Sequence, residues 1–211
     1  MRHSFFAFVA VAVGLGVACG GGTVAITNDG GSSDAAKDGV APPDTFACNA
    51  PGECDIRPKS CCGTCDAPTT DDMIGVNWQK GGQYTSTVCA GAGCPACFKE
   101  PDPNLAPVCR AKACNAVDVR VDTMSACTTN QDCALRYSGC CEACAANDPT
   151  KLIALSSTGR QEYVANQCHP DAGGCPKCAV IYPPGYEAVC NTQTGHCEVG
   201  KVLGADAGGG G

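Results

Sequence analysis

Cysteine constrains this chain more than any other residue, because 21 of its 211 residues are cysteines. A content near one in ten is typical of a scaffold held by disulfides. Across the 150 residues from Cys48 to Cys197, Val, Ile, Leu and Phe together contribute only 18 residues. A chain with less than roughly 20% of these types rarely buries enough apolar surface to offset the entropy of ordering its backbone. A cytosolic enzyme with a conventional hydrophobic core is therefore not expected.

The N-terminus has the layout of an export signal. Arg2 precedes an uncharged stretch, residues 4–18, rich in Phe, Val and Ala. This stretch is shorter than the roughly 20 apolar residues that a transmembrane helix needs, and it fits the apolar region of a signal peptide. Residues 1–18 are predicted to be that signal peptide.

The signal ends in Leu15-Gly16-Val17-Ala18-Cys19. This segment resembles the lipobox of bacterial lipoproteins, in which small residues precede a cysteine that is diacylated and becomes the mature N-terminus. Gly16 stands where that pattern usually has Leu, Val or Ile. The resemblance implies that Cys19 is lipidated and that the membrane is a partner through this anchor. The alternative is ordinary cleavage after Ala18, which would leave Cys19 as a free thiol, the odd one of an odd-numbered set.

The composition around the cysteines predicts flexible ends. Residues 19–47 are expected to be the lipidated cysteine followed by a disordered tether of Gly, Asp and Ala, and residues 200–211 a disordered Gly-rich tail. Gly20, where some lipoproteins have Asp, resembles the residue found in lipoproteins sent to the outer membrane. The predicted location is extracytoplasmic, as an outer membrane lipoprotein of a Gram-negative bacterium, on its periplasmic or surface face.

The other 20 cysteines form two sets of ten with nearly the same spacing. Successive separations are 6, 7, 1, 3, 24, 5, 3, 12 and 5 residues in the first set, and 6, 7, 1, 3, 24, 7, 3, 12 and 7 in the second. The sets are Cys48, Cys54, Cys61, Cys62, Cys65, Cys89, Cys94, Cys97, Cys109 and Cys114, and Cys127, Cys133, Cys140, Cys141, Cys144, Cys168, Cys175, Cys178, Cys190 and Cys197. Residues 48–114, the first repeat, and 127–199, the second repeat, are interpreted as two copies of one module.

The two separations that differ do so by two residues each. Because side chains alternate with period two along a strand, two added residues lengthen a hairpin and leave its flanking cysteines on the same face. Hairpin tips or tight loops are therefore expected at residues 89–94 and 109–114, and at 168–175 and 190–197.

A short helix is expected within each 24-residue separation. In the second repeat Asp148 would cap it, with Pro149 at its first position. In the first repeat Thr70 would be the cap. The apolar residues expected to face inward are Met73, Ile74 and Val76, and Leu152, Ile153 and Leu155.

Residues 115–126 are predicted to be a short linker or a strand. Val117, Val119 and Val121 alternate with charged residues there, a pattern typical of a strand, so the two modules are expected to pack together. The predicted fold class is a small disulfide-rich protein with little regular secondary structure, made of two tandem modules with short β-hairpins and one short helix each.

Disulfides are the favoured use of the 20 cysteines. An exported chain with even-numbered cysteines at repeated spacings normally has a disulfide framework, here five bonds in each module. Cys61 and Cys62 have Cα atoms about 3.8 Å apart, which is too close for a bond between them, so each is expected to bond to a different partner. The same holds for Cys140 and Cys141.

Two other uses of the cysteines stay open as alternatives. Each repeat has two C-x2-C motifs, which are typical of tetrahedral zinc sites, so thiolate binding of zinc or copper is one alternative. The segments Cys94-Pro95-Ala96-Cys97 and Cys175-Pro176-Lys177-Cys178 resemble the C-P-x-C motif of glutaredoxin-type proteins, but neighbouring cysteines leave no room for the strand and helix that flank that motif. No cofactor, metal or catalytic residue is expected.

The formal charge is −7, and removal of Arg2 with the signal leaves 13 basic and 21 acidic residues, or −8. Such a chain does not favour nucleic acid as a partner. The overall style resembles that of cysteine-rich bacterial lipoproteins, which implies no particular activity. The predicted function is a non-enzymatic, lipid-anchored cell-envelope protein that presents two disulfide-stapled modules for binding a protein partner or for a structural role.

A protease inhibitor is the second hypothesis, because rigid loops between disulfides can occupy a protease without being released. The candidate loops are residues 98–108 and 179–189. The vicinal cysteines resemble the four-disulfide core of whey acidic protein inhibitors, although that family has eight cysteines per module and a C-C-x3-C spacing. Trp78 is expected to fill a core, and His169 and His196 to lie in surface loops.

Overall fold

The computed structural model describes residues 41–90, 93–94, 99–142, 144 and 148–202. The strands are β1 (Cys54–Pro58), β2 (Met73–Asn77), β3 (Leu105–Arg110), β4 (Ala113–Asp118), β5 (Cys133–Tyr137), β6 (Leu152–Ser156), β7 (Tyr186–Asn191) and β8 (His196–Lys201). The helices are α1 (Gly81–Val88) and α2 (Ser157–Gln167). Single 3-10 turns cover Pro43–Phe46, Trp78–Lys80, Thr123–Ser125, Asn130–Asp132 and Pro149–Lys151.

The strands pair as four separate two-stranded antiparallel sheets, β1 with β2, β3 with β4, β5 with β6 and β7 with β8. The order of elements, two strands, one helix and two strands, is the same over residues 54–118 and 133–201. The general fold prediction is confirmed: the protein is small and disulfide-rich, with short antiparallel hairpins and two helices in the part of the chain that the structure describes.

The hairpins β3–β4 and β7–β8 lie where two-residue differences in spacing predicted hairpins. Cys109 pairs with Cys114 across the first, and Cys190 with Cys197 across the second. The first turn consists of Ala111 and Lys112 alone, both with positive φ (52° and 62°), as a tight hairpin turn requires. The second has four residues and ends at a glycine with φ 72°. The two inserted residues therefore lengthen the turn and leave the cysteine pair in register.

The predicted helix positions are wrong. Leu152, Ile153 and Leu155 lie in strand β6, and the equivalent residues of the first repeat lie in β2. Asp148 does cap a helical turn, since its side chain accepts a hydrogen bond from the Thr150 N–H, but this turn ends after three residues. Because every residue of β6 is buried, the strand has no polar face, and its run of apolar residues imitates the inner face of a short helix. The helices follow these strands instead.

The predicted boundaries of the tether and tail also need correction. Residues 41–47, assigned to the disordered tether, contain the turn Pro43–Phe46, with Thr45 fully buried and Phe46 packed on the ring of Tyr84. At the other end, β8 continues to Lys201 through pairing with Tyr186, two residues into the predicted tail. Backbone pairing and a few contacts therefore order segments whose composition is that of a linker.

The segment between the repeats belongs to both of them. Strand β4 continues to Asp118, past the predicted start of the linker, and contains Val117. Val119 and Met124 are fully buried, whereas Val121 is exposed. Met124 lies in the turn Thr123–Ser125, which has the same place before the second repeat as Pro43–Phe46 has before the first. The linker thus begins as a strand and ends as the first turn of the following unit.

The largest hydrophobic cluster spans both repeats. Ala106 and Val108 of β3 pack with Ile153 and Leu155 of β6 and with Tyr163 of α2, around Val119 and Met124. A second cluster, built on Val76, Tyr84 and Val88, lies within the first repeat and is covered by Ala41 and Phe46. The two repeats therefore share one core, so neither is closed by its own residues alone.

Polar contacts fix helix α2 against strand β3. The buried side chain of Asn166 accepts a hydrogen bond from the Cys109 N–H, 2.9 Å away. Arg110 forms an ion pair with Glu162 at 2.7 Å and a two-bond contact with Asp122 of the linker. Burial opposes ionisation of Asp122, but the hydrogen bonds from Arg110 and the Met124 N–H outweigh it and lower the pKa of this carboxyl group.

Candidate functional site

The described cysteines form nine disulfides, and all nine lie within one repeat or the other. In the first repeat they are Cys48–Cys109, Cys54–Cys114, Cys61–Cys89 and Cys62–Cys94. In the second they are Cys127–Cys190, Cys133–Cys197, Cys140–Cys168, Cys141–Cys175 and Cys144–Cys178. Cys65 is also disulfide-bonded. Cys97 lies outside the described residues.

The connectivity repeats where both repeats can be compared. In each ten-cysteine set the first bonds to the ninth, the second to the tenth, the third to the sixth and the fourth to the seventh. The second repeat adds a bond from the fifth to the eighth. Each vicinal cysteine bonds to a different partner, as predicted.

The disulfides fall into two classes. Four long-span bonds, with separations of 60 to 64 residues, join the start of one hairpin to the other, and each has at least one buried cysteine. Five short-span bonds, with separations of 28 to 34 residues, tie the loop after β1 or β5 to the end of the helix and the segment beyond it. None of their cysteines is buried, and Cys94, Cys175 and Cys178 are exposed. The vicinal cysteines are therefore partly buried, and Cys61 packs against the cluster of Val76, Tyr84 and Val88.

The zinc-like spacing has a different explanation in the second repeat. There the two C-x2-C motifs bond to each other, Cys141 to Cys175 and Cys144 to Cys178, as two rungs of a ladder. Sulfur atoms of three cysteines come within 4.8 Å of one another in four places, one of them formed by Cys140, Cys168 and Cys175. These sulfurs belong to neighbouring disulfides, and metal binding requires thiolates, so such clusters could bind a metal only after reduction.

The two candidate inhibitor loops differ in accessibility. In the first, Phe98 lies outside the described residues, and 105–108 form the start of β3, buried beneath α2. In the second, residues 179–185 precede β7 without regular structure, and Ile181 is 63% exposed. The adjoining segment 170–179 is exposed throughout and is held by the disulfides of Cys175 and Cys178. Among the described residues, those of the second repeat present an accessible, crosslinked loop of this kind.

A buried charge network exists in the second repeat that the sequence reasoning missed. Arg136 of β5 is 4% exposed and lies above the ring of Tyr163. Its counter-ion Glu142 accepts hydrogen bonds from the Arg160 guanidinium and the Tyr182 hydroxyl, each at 2.6 Å. Burial raises the pKa of Glu142, but these donors outweigh it and lower the pKa. Burial and the hydrogen bond to Glu142 raise the pKa of Tyr182 to about 12.

The equivalent position in the first repeat is built from other residues. Arg57 occupies the place of Arg136, but Gly63 stands where the second repeat has Glu142, and Gly81 where it has Arg160. Arg57 pairs instead with Asp55, its neighbour on β1, at 2.7 Å, and its side chain is 43% exposed. The recurrence of an arginine at one position of both repeats was the available sequence signal, but its counter-ion could not be read from spacing.

His169 and His196 both make structural contacts; His169 lies in a loop, as predicted, whereas His196 is the first residue of β8. His196 Nδ1 lies 2.8 Å from the hydroxyl of the buried Ser125. His169 Nδ1 lies 3.0 Å from the Gly52 carbonyl oxygen and donates to it. Gly52 has φ 83°, and a Cβ there would lie 2.3 Å from the Cys168 carbonyl oxygen, so glycine is required for this close approach of the two repeats.

Trp78 lies beside this junction. Its indole packs against the imidazole of His169, with ring centroids 5.3 Å apart, and it is half-buried rather than part of a core. Trp78 is the only tryptophan of the chain, and the repeat equivalent is Ser157. Residues that differ between the repeats thus meet where the repeats meet.

An open cavity of about 190 Å³ adjoins the tryptophan. We call it the junction cavity. It is lined by Asn49, Glu53, Asn77, Trp78, Gln79, Pro170 and Asp171. Six of its seven lining residues carry polar or aromatic side chains, and two are carboxylates. It lies between the first repeat and the exposed segment 170–179 of the second.

The fold and its crosslinks define a small protein of short hairpins that is held together by disulfides. Disulfides in this number are consistent with an extracytoplasmic protein. Comparisons of the chain with protein-family models, with curated proteins and with solved structures each gave no match. Among the described residues, no helix is long and apolar enough to cross a membrane. The predicted signal peptide and Cys19 lie outside the described residues.

Proposed function

We propose that this protein is a non-enzymatic, lipid-anchored component of a bacterial cell envelope, and that its two disulfide-stapled modules serve to bind a partner. The repeated disulfide connectivity supports the view that the modules are copies of one unit. The observation that carries the binding role is the junction cavity, because it is polar, open and made of residues that the two copies do not share. The lipid anchor at Cys19 rests on the lipobox resemblance.

Intact-mass analysis tests the anchor and the scaffold together. Protein extracted from membranes of a Gram-negative host should carry the mass of a diacylated Cys19, and Cys19→Ala should be released in unmodified form. Alkylation without reductant should add no label, and alkylation after reduction should add 20. An unacylated wild-type protein would overturn the anchor, and labels added without reductant would overturn the fully bonded scaffold.

A protease inhibitor is the second candidate, favoured by the exposed, crosslinked segment 170–179. Lys177 lies in it between Cys175 and Cys178 and is exposed, which suits a protease that cleaves after basic residues. The test is inhibition of a panel of extracellular proteases by the wild type, by Lys177→Ala and by the matched control Lys112→Ala, which changes an exposed lysine of the β3–β4 turn. Loss of inhibition in Lys177→Ala alone would support this function, and no inhibition by the wild type would exclude it.

A further inference from the structure

The junction cavity has an acidic character. Glu53 and Asp171 both line it, and no lysine or arginine is among its lining residues. Two basic side chains of the first repeat have acidic partners: Lys80 lies 3.1 Å from Asp44, and Arg57 lies 2.7 Å from Asp55. The two carboxylates therefore face the cavity without a cation among the residues that line it.

Glu53 keeps an oxygen available for a ligand. Its Oε2 accepts a hydrogen bond from the Asn49 N–H at 2.7 Å, which fixes the side chain at the edge of the cavity. Oε1 has no hydrogen-bond partner among the described residues. A carboxylate oxygen that is held in place and has no hydrogen-bond partner can accept a hydrogen bond from a charged donor. Such bonds are stronger than those between neutral groups.

The equivalent acid in the second repeat shows what a purely structural carboxylate looks like. Asp132 stands at the position of Glu53, and its Oδ2 accepts hydrogen bonds from the backbone and hydroxyl groups of both Thr128 and Thr129. The backbone N–H of Thr128 and then that of Thr129 lower the pKa of Asp132 to about 2. Asp132 is thus held by four donors of its own turn, all on Oδ2, whereas Glu53 has one donor and lines the cavity.

The aromatic wall fits the same ligand chemistry. Trp78 is joined to Glu53 through the backbone, since the Trp78 N–H donates to the Glu53 carbonyl oxygen at 2.9 Å. The backbones that carry the indole and the carboxylate are therefore joined at the edge of the cavity. Tryptophan is the best of the aromatic residues at attracting a cation to its ring face.

We propose that the junction cavity binds the cationic head of an alkylammonium or alkylguanidinium group, with Trp78 as the aromatic wall and Glu53 and Asp171 as counter-ions. The cavity is smaller than the roughly 300 Å³ at which pockets for drug-sized ligands begin, so it suits one head group with its adjacent methylenes. Lysine and arginine side chains of a protein partner, and free amines, share this chemistry. This assignment deepens the proposed binding role.

The single tryptophan makes the site directly observable. The probes are Nα-acetyl-lysine-methylamide and Nα-acetyl-arginine-methylamide, with Nα-acetyl-norleucine-methylamide as the uncharged control. Titration of the oxidised protein should change the Trp78 fluorescence saturably with at least one cationic probe, with Kd in the millimolar range expected for one cation–π contact and two exposed ion pairs. No saturable change, or an equal change with the norleucine probe, would overturn the assignment.

Variants distinguish a local effect on binding at the cavity from a general effect on the folded protein. Glu53→Gln and Asp171→Asn should each weaken binding about three- to fivefold, and Glu187→Gln, a matched change at an exposed acid on β7, should leave it unchanged. Equal affinity in all three variants would contradict the assignment. A flexible peptide of Gly and Ser with one lysine should bind more tightly than the free probe if the partner is a protein, and equally if it is a free amine. Failure here would leave the acyl mass and disulfide results of the proposed function untouched.

Discussion

The two repeats have the same disulfide connectivity where both can be compared, but different residues pack around their equivalent tyrosines. The first repeat covers Tyr84 with Phe46, from the turn that precedes it. In the second, the equivalent Tyr163 lies in one cluster with Met124, from the turn that precedes that repeat, and with Ala106 and Val108 of the first repeat. Strand β3 is consequently buried over its first four residues, whereas β7, its counterpart, is only partly buried and carries an exposed glutamate, Glu187.

This difference shows how two cysteine-rich repeats can share one core. The second repeat shares a hydrophobic cluster with strand β3 of the first, whereas β7 is only partly buried. The disulfides set the frame of each unit, and the contacts between units determine which residues are buried. Substitutions at equivalent positions of the two repeats are therefore expected to change stability by different amounts.

The largest difference in unfolding free energy is expected when the acidic partners of Arg136 and Arg57 are removed. Glu142→Gln should lower the free energy of unfolding by about 3 kcal/mol, because it leaves the buried Arg136 without its counter-ion. Asp55→Asn, which removes the partner of the half-exposed Arg57, should cost about 0.5 kcal/mol. Denaturant unfolding with the disulfides intact measures both. Equal costs would mean that the two arginines have equivalent environments.

Core valines should show the next largest difference. Val108→Ala in β3 should cost about 2 kcal/mol, because it removes two methyl groups from the shared core. Val189→Ala, at the equivalent position of β7, should cost less than about 1 kcal/mol, because Val189 is only half-buried. Thermal unfolding of both variants would decide, and a larger effect at Val189 would contradict the proposed covering of β3 by α2.

A smaller difference in stability is expected at two asparagines that accept a hydrogen bond from equivalent backbone N–H groups. The Cys109 N–H donates to Asn166 across the junction of the repeats, and the Cys190 N–H donates to Asn130 within the second repeat. Asn166→Ala should cost about 1–2 kcal/mol because it leaves a partly buried donor unpaired, and Asn130→Ala about 0.5–1 kcal/mol because Asn130 is exposed. Amide exchange of Cys109 should accelerate in the first variant. Unchanged exchange there would contradict the assigned contact.

The pH dependence of stability should also report on two carboxylates, Glu142 and Asp122, that pair with arginines. The pKa values of Glu142 and Asp122 are lowered in the folded protein, so the unfolded chain binds protons first as the pH falls. Their contribution is therefore complete above the ordinary carboxyl pKa of 3.8 to 4.5 and is lost as the pH falls through the lowered values. Unfolding free energies measured from pH 6 to 2 should decline less steeply in Glu142→Gln than in the wild type. An identical slope would show that folding does not lower the pKa of Glu142.

The sequence predicted the hairpins and the disulfide partners better than it predicted the positions of the helices. Cysteine spacing predicted the hairpin at Cys109 and Cys114 and the separate partners of Cys61 and Cys62, because these follow from strand periodicity and bond geometry. It misplaced the helices, since an apolar run such as 152–155 is the same for a strand buried on both faces and for a short helix. Local caps, such as Asp148, were readable because their partners lie within two residues.

The candidate site could not be read from the sequence for a related reason. Trp78 and His169 are 91 positions apart, and their contact depends on how the second repeat packs on the first. Glu53 and Asp171 likewise come together only at this junction. The sequence signal for this junction was that Trp78 and His169 have no counterparts of their type in the other repeat, combined with the expectation that the repeats pack together.

Disulfide mapping tests the central claim, that two copies of one crosslinked unit form this protein, most directly. Digestion at acidic pH, where thiolates are scarce and exchange is slow, followed by mass spectrometry would identify the linked peptides. The predicted result is the same connectivity in both repeats: first to ninth, second to tenth, third to sixth, fourth to seventh and fifth to eighth cysteine. A disulfide between the repeats, or a different connectivity in each, would contradict the account.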